Sequence, residues 1–326
     1  MTNQTALITG IEGQDGSYLA EHLLGLGFDV TGICRPGGSD VNIRHISDQI
    51  TLETFDISDS AALQAIVRRA RPDQIYHLAG PTFLGDGDAD AAVKFQVIVT
   101  STFALLEAIV EMVPQSRFFF AGSSEMFGDT DESPQLETTS FRPRSAYGLA
   151  KVCSHEIVKY FRRHRDVWCC TGFLYNHESP RRQSRFVTRK ITQAAARISR
   201  NEQQSLKLGD LSARRDWGYA PDYVEAMSAM LKSTEPRDYV ISTGKTHSVE
   251  ELLDAAFSHV DLDYTNYVET DPSFVRKEPT HQLVGNPAAI LSDLGWMAKT
   301  PFETIVHAMV DVDLQLPHEK ASEKDT

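Results

Sequence analysis

The segment Thr9-Gly10-Ile11-Glu12-Gly13-Gln14-Asp15-Gly16 constrains this chain more than any other stretch. It follows a short apolar run at 5–9 and opens a helical pattern at 18–26, with Leu19, His22, Leu23 and Leu26 on one face. Three glycines between a buried strand and a helix have separate uses. Gly10 permits a tight turn, Gly13 lets a diphosphate approach the backbone, and Gly16 lets the helix pack on the strand. The helix start then offers free N–H groups and the positive end of its dipole to phosphates. A Gly-rich turn with no ligand is the plain alternative, and the spacing is GxxGxxG where GxGxxG is commoner. The strand–turn–helix context favours a nucleotide site, with Gly10, Gly13, Gln14, Asp15 and Gly16 as its cradle.

The alternation continues along the chain. Further buried-type strands are predicted at 28–34, 50–55, 74–79 and 117–122. Between them lie a helix at 61–70, capped by Ser58 or Ser60 and stopped by Pro72, and a long apolar helix over Ala91–Met112. Short apolar strands alternating with helices demand a parallel sheet covered on both faces. The fold class is therefore α/β, a Rossmann-type doubly wound parallel sheet whose right-handed crossovers bring the carboxyl end of every strand to one edge. The segment 176–182 is expected to end the last sheet strand. Beyond it the pattern turns irregular, with a strand at Leu206–Leu208 and helices at 223–231, 249–259 and 302–312. The chain thus divides into residues 1–175, the cofactor-binding domain, and residues 176–326, a smaller mixed α/β substrate lobe from which some segments return to the sheet.

Composition narrows the partners. The 326 residues carry 32 Lys plus Arg against 45 Asp plus Glu, a net charge of −13. Nucleic acid and anionic membranes both need a cationic face, so neither is expected. No run approaches the roughly 20 uninterrupted apolar residues of a membrane helix, and the polar start gives no sign of a signal peptide. The four cysteines, Cys34, Cys153, Cys169 and Cys170, have no CxxC spacing, and the 11 histidines form no pair at metal-binding spacing. A cytoplasmic location and no metal are expected.

Several residues carry chemistry. Arg35 ends the second strand 19 positions beyond Gly16, where an NAD site usually offers an acid to the ribose 2′-hydroxyl. A guanidinium there suits a 2′-phosphate, so NADP is expected, with NAD kept open; a solvent-facing Arg is the alternative. Asp56 and Ile57 follow the third strand, and Leu78, Ala79 and Gly80 end the fourth, so these five are further expected cofactor contacts. Asp56 can meet the adenine edge or simply start a helix. Tyr147 and Lys151 stand at i and i+4 of a predicted helix and share a face. An ammonium there stabilises tyrosinate, which at an ordinary pKa of about 10 is otherwise scarce near neutrality. Ser123, Ser124 and Glu125 follow the strand at 117–122, delivering two hydroxyls and a carboxylate to the sheet edge. Ser123 can bond a substrate hydroxyl and Glu125 is a candidate general acid and base, the bland reading being turn residues and a solvated Glu. Cations gather at Arg181, Arg182, Arg189, Lys190, Arg214, Arg215, Arg276 and Lys277. In so acidic a chain they point to a grip on an anion such as a diphosphate, scattered surface ion pairs being the alternative.

Taken together these motifs resemble the extended short-chain dehydrogenase/reductase superfamily and, within it, the GDP-mannose 4,6-dehydratase family. The resemblance rests on the sequence at 6–19, on Pro143-Arg144-Ser145-Ala146-Tyr147-Gly148, on Asn176-His177-Glu178-Ser179-Pro180-Arg181-Arg182, on Val187-Thr188-Arg189-Lys190-Ile191, on Arg215-Asp216-Trp217-Gly218 and on Leu294-Gly295-Trp296. It implies a lyase that converts a GDP-sugar, GDP-mannose or a close relative such as a GDP-heptose, to the 4-keto-6-deoxy sugar. In that scheme Tyr147 takes the proton of the 4-hydroxyl while hydride passes from C4 to NADP. Lys151 holds the ribose and lowers the Tyr147 pKa. Glu125 removes the C5 proton and protonates the departing C6 hydroxyl. The resemblance further implies cofactor contacts from His177 and Arg182. Substrate contacts are expected from Ser123, Ser124, Glu125, Asn176, Val187, Lys190, Arg215 and Arg276.

The chain departs from that family pattern in places. Ser123 stands where Thr is common, and Ser124 where the wider dehydratase group often has Asp. Pro36 replaces a second Arg, the loop at 37–45 is short, and Gly80-Pro81-Thr82-Phe83-Leu84 replaces a Gln-Ser-His-like run. Val93 and Pro279 replace a usual Tyr and Glu. These changes bear on cofactor preference, assembly and the sugar. The family also implies a homodimer, in which Ala91–Met112 and Ala146–His164 pair with their symmetry mates. Two rivals stay open. A nucleotide-sugar 4-reductase or epimerase needs Tyr147 but no carboxylate base at C5, and a catalytically idle nucleotide-sugar-binding protein needs neither.

Overall fold

The computed structural model describes residues 3–80, 91–271 and 282–316. The first half alternates as β1 (Thr5–Thr9), α1 (Gln14–Gly25), β2 (Asp29–Cys34), β3 (Ile50–Thr54), α2 (Ser60–Ala70), β4 (Gln74–His77), α3 (Ala91–Met112), β5 (Arg117–Ala121), α4 (Ala146–His164) and β6 (Cys169–Leu174). The second half runs β7 (Asn176–Glu178), α5 (Val187–Ser199), β8 (Leu206–Leu208), β9 (Arg214–Arg215), β10 (Trp217–Tyr219), α6 (Ala220–Lys232), β11 (Tyr239–Ile241), β12 (His247–Ser248), α7 (Val249–Ser258), β13 (Val268–Thr270), α8 (Ala288–Leu294) and α9 (Phe302–Gln315). Seven strands form one sheet in the order β11-β6-β5-β4-β1-β2-β3. Every neighbouring pair in it is parallel. After β3 the chain returns past β1 to lay down β4, which reverses the winding and makes the sheet doubly wound.

Alternation within the strands builds two cores. Leu7, Ile75, Phe118, Phe120 and Cys169 join the layer of α2, α3 and α4. Ile8, Tyr76, Phe119 and Cys170 join the layer of α1 and α6. A strand such as Arg117–Ala121 is apolar at nearly every position because both of its faces are covered. Among the described residues α3 is the one helix long and apolar enough to cross a bilayer, with mean hydropathy 1.6. Here it lies between α2 and α4, burying Ile98, Leu105, Leu106 and Ile109.

The structure revises the sequence reading in places. The cap of α2 is neither Ser58 nor Ser60 but Asp59, whose carboxylate accepts the Ala62 N–H at 3.0 Å. Ser58 is already engaged, its N–H and hydroxyl both donating to Asp56. The 176–182 segment does not end the last sheet strand. A break at Tyr175 lets β7 leave the sheet and pair with β10, and the outer strand is β11, too short a run to stand out from a helix. α5 went unforeseen because its buried stripe is mostly small, with Ala194, Ala195, Ala196 and Thr192 beside Ile191 and Ile198.

The lobe packs α5, α7 and α9 around Ile191, Leu253, Phe257 and Val306. Small strand pairs fasten it, β7 with β10, β9 with β12 and β8 with β13. The buried Asp216 does more, accepting the N–H groups of Thr243, Gly244 and Gly285 at 3.0, 3.0 and 3.3 Å and the Thr243 hydroxyl at 2.7 Å. One carboxylate thus ties the start of β10 to the loop after β11 and to the approach to α8.

Candidate active site

Strand order sets the site. The carboxyl ends of β3, β2, β1, β4 and β5 line one edge, bringing Asp56, Arg35, Gly10, Leu78–Gly80 and Ser123 into a row in that sequence. At about 4.8 Å per strand, the ends of β2 and β5, three strands apart, are separated by about 14 Å, a span suited to an extended dinucleotide.

The glycine turn is shaped for close approach. Gly10 has φ +73°, and a Cβ there would meet the Ala79 Cα at 3.1 Å. A Cβ at Gly16 would collide with the Gly10 carbonyl, so helix and turn touch only because that atom is missing. At Gly13 a Cβ would meet the Gly10 oxygen at 3.2 Å and nothing else within 4 Å. That face is clear, and no side chain caps the start of α1. A diphosphate fits such a cradle, on bare N–H groups at a helix start. Thr9, given no role by the sequence reading, braces the row. Its hydroxyl oxygen accepts the Leu78 and Ala79 N–H groups at 3.1 and 3.0 Å and lies 2.9 Å from His77 Nδ1. A hydroxyl at a strand's last position was the available signal.

The chemistry-bearing cluster sits at the end of β5. Ser123 caps a short 3₁₀ turn, its hydroxyl accepting the Glu125 N–H at 3.2 Å. Ser145 caps α4 through the Gly148 N–H at 3.0 Å. A Cβ at Gly148 would meet the Glu125 carbonyl oxygen at 2.6 Å, so α4 presses directly on the turn that carries Glu125. Tyr147 is therefore held against this turn, its phenol beside the Ser123 hydroxyl. Lys151 is buried one helical turn on, donating to the Ala121 carbonyl at 2.7 Å, with its Nζ 5.6 Å from the Tyr147 ring centre. Glu125 is half-buried and Ser124 is buried within the turn.

One expectation is corrected here. Burial, helped by the Glu125 and Asp15 charges, pushes the Tyr147 phenol up to about 12, and it is Ser123 and Arg182 that work downward. Lys151 is itself brought down to about 8 by burial, against the pull of Asp15. The lysine does not hold the phenol low in the protein alone, because both groups share one desolvated site.

His177, Gln14 and Asp15 form a knot under the glycine turn. His177 Nε2 lies 2.9 Å from Asp15 Oδ1, and its Nδ1 lies 2.7 Å from the Tyr175 carbonyl. The Gln14 amide donates to the His177 carbonyl at 3.1 Å and accepts the Ser179 hydroxyl at 2.8 Å. Burial opposes charge on both members of the ion pair. Even so, Asp15 raises the His177 imidazole above its ordinary value, and His177 holds the Asp15 carboxyl below the usual range. His177 also stacks on Tyr223 at 4.6 Å, so it is a packed residue of the crevice wall. Arg182 lies on the Phe186 ring at 3.6 Å and pairs with Glu178 at 3.1 Å. Asp56 is exposed and spent on the Ser58 turn, which lowers its carboxyl, while Ile57 packs on the core beneath.

The grip on an anion is narrower than the sequence reading had it. Arg181 stacks on Tyr18 and pairs with Glu21, Arg189 is buried on Asp313 at 2.8 Å, and Arg214 pairs with Glu251 at 2.7 Å. Arg189 ties α5 to α9 within the lobe, Arg181 ties the lobe to α1, and Arg214–Glu251 is an exposed surface pair. Asn176 lies on β7, exposed Val187 and Lys190 in the first turn of α5, and Arg215 on β9 facing His247 of β12. Arg276 and Lys277 lie outside the described residues, as do Pro81-Thr82-Phe83-Leu84 and Pro279.

A glycine turn at the first strand of a doubly wound sheet, with Tyr and Lys one turn apart on the helix after β5, defines a short-chain dehydrogenase/reductase. The family model described as GDP-mannose 4,6 dehydratase matches residues 7–309. GDP-mannose 4,6 dehydratase 2 of Arabidopsis thaliana is 41% identical over 326 aligned residues, covering 95% of this chain and 87% of that protein. The GDP-mannose 4,6 dehydratase of Homo sapiens is 37% identical over 95% of this chain and 91% of its own. Among solved structures, a UDP-glucose 4-epimerase from Thermotoga maritima, with UDP-glucose, has a TM-score of 0.85 at 21% identity, covering 95% of this chain and 98% of that one. The chain belongs to the GDP-mannose 4,6-dehydratase family.

Proposed function

We propose that this chain removes water from a GDP-sugar, GDP-mannose or a close relative such as a GDP-heptose, giving the GDP-4-keto-6-deoxy sugar. The observation that carries this reading is the convergence of Ser123, Glu125, Tyr147 and Lys151 at the end of β5, beside the open glycine turn. Gly10, Gly13, Gly16 and the start of α1 would hold the dinucleotide diphosphate, with Lys151 and Arg182 toward its nicotinamide end. The chemistry a bound nicotinamide dinucleotide supplies is reversible hydride transfer, away from C4 at first and back to C6 at the end. Everything else falls to the protein. Ser123 orients the sugar 4-hydroxyl and Tyr147 accepts its proton, the cost of ionising the buried phenol being reduced by Ser123, Arg182 and protonated Lys151. The resulting ketone acidifies C5, Glu125 takes that proton, and the same carboxyl delivers it to the C6 hydroxyl as water leaves; the proton first taken by Tyr147 balances the protonation of C5 that accompanies hydride return to C6. Asn176, Val187, Lys190, Arg215 and Arg276 are the proposed holders of the nucleotide sugar.

The cofactor in this reading is a nicotinamide dinucleotide, with Arg35 supporting NADP and NAD kept open. Outward apolar side chains on α3 and α4, among them Phe103, Leu149 and Tyr160, support a homodimer through those helices. Four free thiols support a cytoplasmic location. An epimerase or 4-reductase would not need Glu125. The Glu125→Gln variant, incubated with GDP-mannose, should still oxidise C4 but lose water elimination by about 10³-fold, read by mass spectrometry of the sugar. Undiminished loss of water would sink the dehydratase mechanism.

A further inference from the structure

Glu12 stands inside the glycine turn and has no part in the mechanism above. Its Oε1 accepts the backbone N–H of Arg35 at 3.2 Å, which fixes the carboxylate at the carboxyl end of β2. Its Oε2 is buried without a hydrogen-bond partner. The loop after β2 folds over it. Gly38 N–H donates to the Arg35 carbonyl at 3.1 Å, with Gly37 between them at φ +72°. A Cβ at Gly38 would meet Glu12 Oε1 at 3.1 Å. The Asn42 amide donates to the Glu12 carbonyl at 3.0 Å. Burial, the neighbouring Glu12 charge and a hydrogen bond to that carboxylate push the Cys34 thiol up to about 11.

In a doubly wound sheet the end of β2 is where the adenosine ribose is read. An acid there accepts a 2′-hydroxyl, and a cation there accepts a 2′-phosphate. This chain presents both, but not equally. The Arg35 side chain is exposed, and no carboxylate among the described residues pairs with its guanidinium. The Glu12 carboxylate is tethered and partly buried, and is offered only the Arg35 amide and the weak thiol donor of Cys34. A buried acceptor without a strong donor is satisfied by a hydroxyl and repelled by a phosphate, which brings negative charge and no proton. We propose that Glu12 selects the cofactor, accepting the ribose 2′-hydroxyl of NAD and rejecting the 2′-phosphate of NADP, so that this chain prefers NAD. The proposal rests on the reading of the crevice as a nicotinamide-dinucleotide site.

The test is calorimetric titration of the full chain, stripped of carried-over nucleotide, with NAD⁺ and NADP⁺ separately and no sugar present. The wild type should bind NAD⁺ at least tenfold more tightly than NADP⁺. Glu12→Gln keeps the size and removes the charge, and Glu12→Thr removes both. Each should move the ratio at least tenfold toward NADP⁺. A wild type that binds NADP⁺ more tightly, or a ratio that neither variant moves, overturns the selection by Glu12. Binding of neither dinucleotide overturns the reading of the crevice itself, and the proposal with it.

Discussion

The sheet half of the molecule and the lobe hold their site residues by different means. At the end of β5, Ser123, Glu125, Tyr147 and Lys151 sit on a strand end, one turn and one helix, fixed by apolar packing on both faces of the sheet. In the lobe, Asn176, Lys190 and Arg215 come from three elements joined by two- or three-residue strand pairs and by buried polar ties, above all Asp216. Packing is non-directional and spread over many atom pairs, each worth only about 0.1–0.2 kcal/mol, so no single contact sets the geometry. A polar tie concentrates its effect in one residue, and its loss strands several backbone donors at once. Chemistry is thus placed where geometry is most redundant, and substrate recognition where it depends on few groups.

The contrast makes three further predictions. The largest effect belongs to the sheet half. Tyr147→Phe should lower kcat by about 10³-fold while leaving the melting temperature where it is, since the ring keeps its packing. A matching fall in melting temperature would break the contrast. Next is Asp216→Ala, which should cost about 4 kcal/mol in unfolding free energy by orphaning its N–H donors and should raise KM for the sugar more than it lowers kcat. Denaturant unfolding and steady-state kinetics read the two effects. The smallest lies at the seam between the halves. Asp15→Asn should cost about 2 kcal/mol in stability at pH 5.5. His177 is raised in the fold, so its contribution is complete below its ordinary value and fades as pH rises through the folded one. Asp15 is lowered, so its contribution is complete above the ordinary carboxylate value and fades as pH falls through the folded one. The pair is at full strength between about pH 4 and 6.5. The wild-type advantage should therefore shrink as pH rises through the folded His177 value, and a difference that stays constant as pH rises would leave the seam without its ion pair.

What the sequence revealed follows the same division. Strand–turn–helix alternation is a local signal, and the glycine turn, α3 and the Tyr147–Lys151 face emerge where periodicity puts them. The lobe is non-local. Nothing near Arg181 or Arg189 in the chain says that their partners are Glu21 and Asp313, so arginines that hold the fold together looked like ligands for an anion. β11 is invisible for the same reason, since three apolar residues become a strand only beside β6. Glu12 escaped notice because the glycines around it drew the reading, and its role rests on where β2 ends in space. The pKa of Tyr147 was misjudged because spacing reports proximity to Lys151 but not the dry surroundings that lift the phenol.

The contact between Gly148 and the carbonyl of Glu125 leaves no room for even a methyl group. The backbone turn that carries Glu125 and the helix that carries Tyr147 are therefore locked together. The main chain beneath the group that takes the first proton is thus fixed against the main chain beneath the group that takes the second.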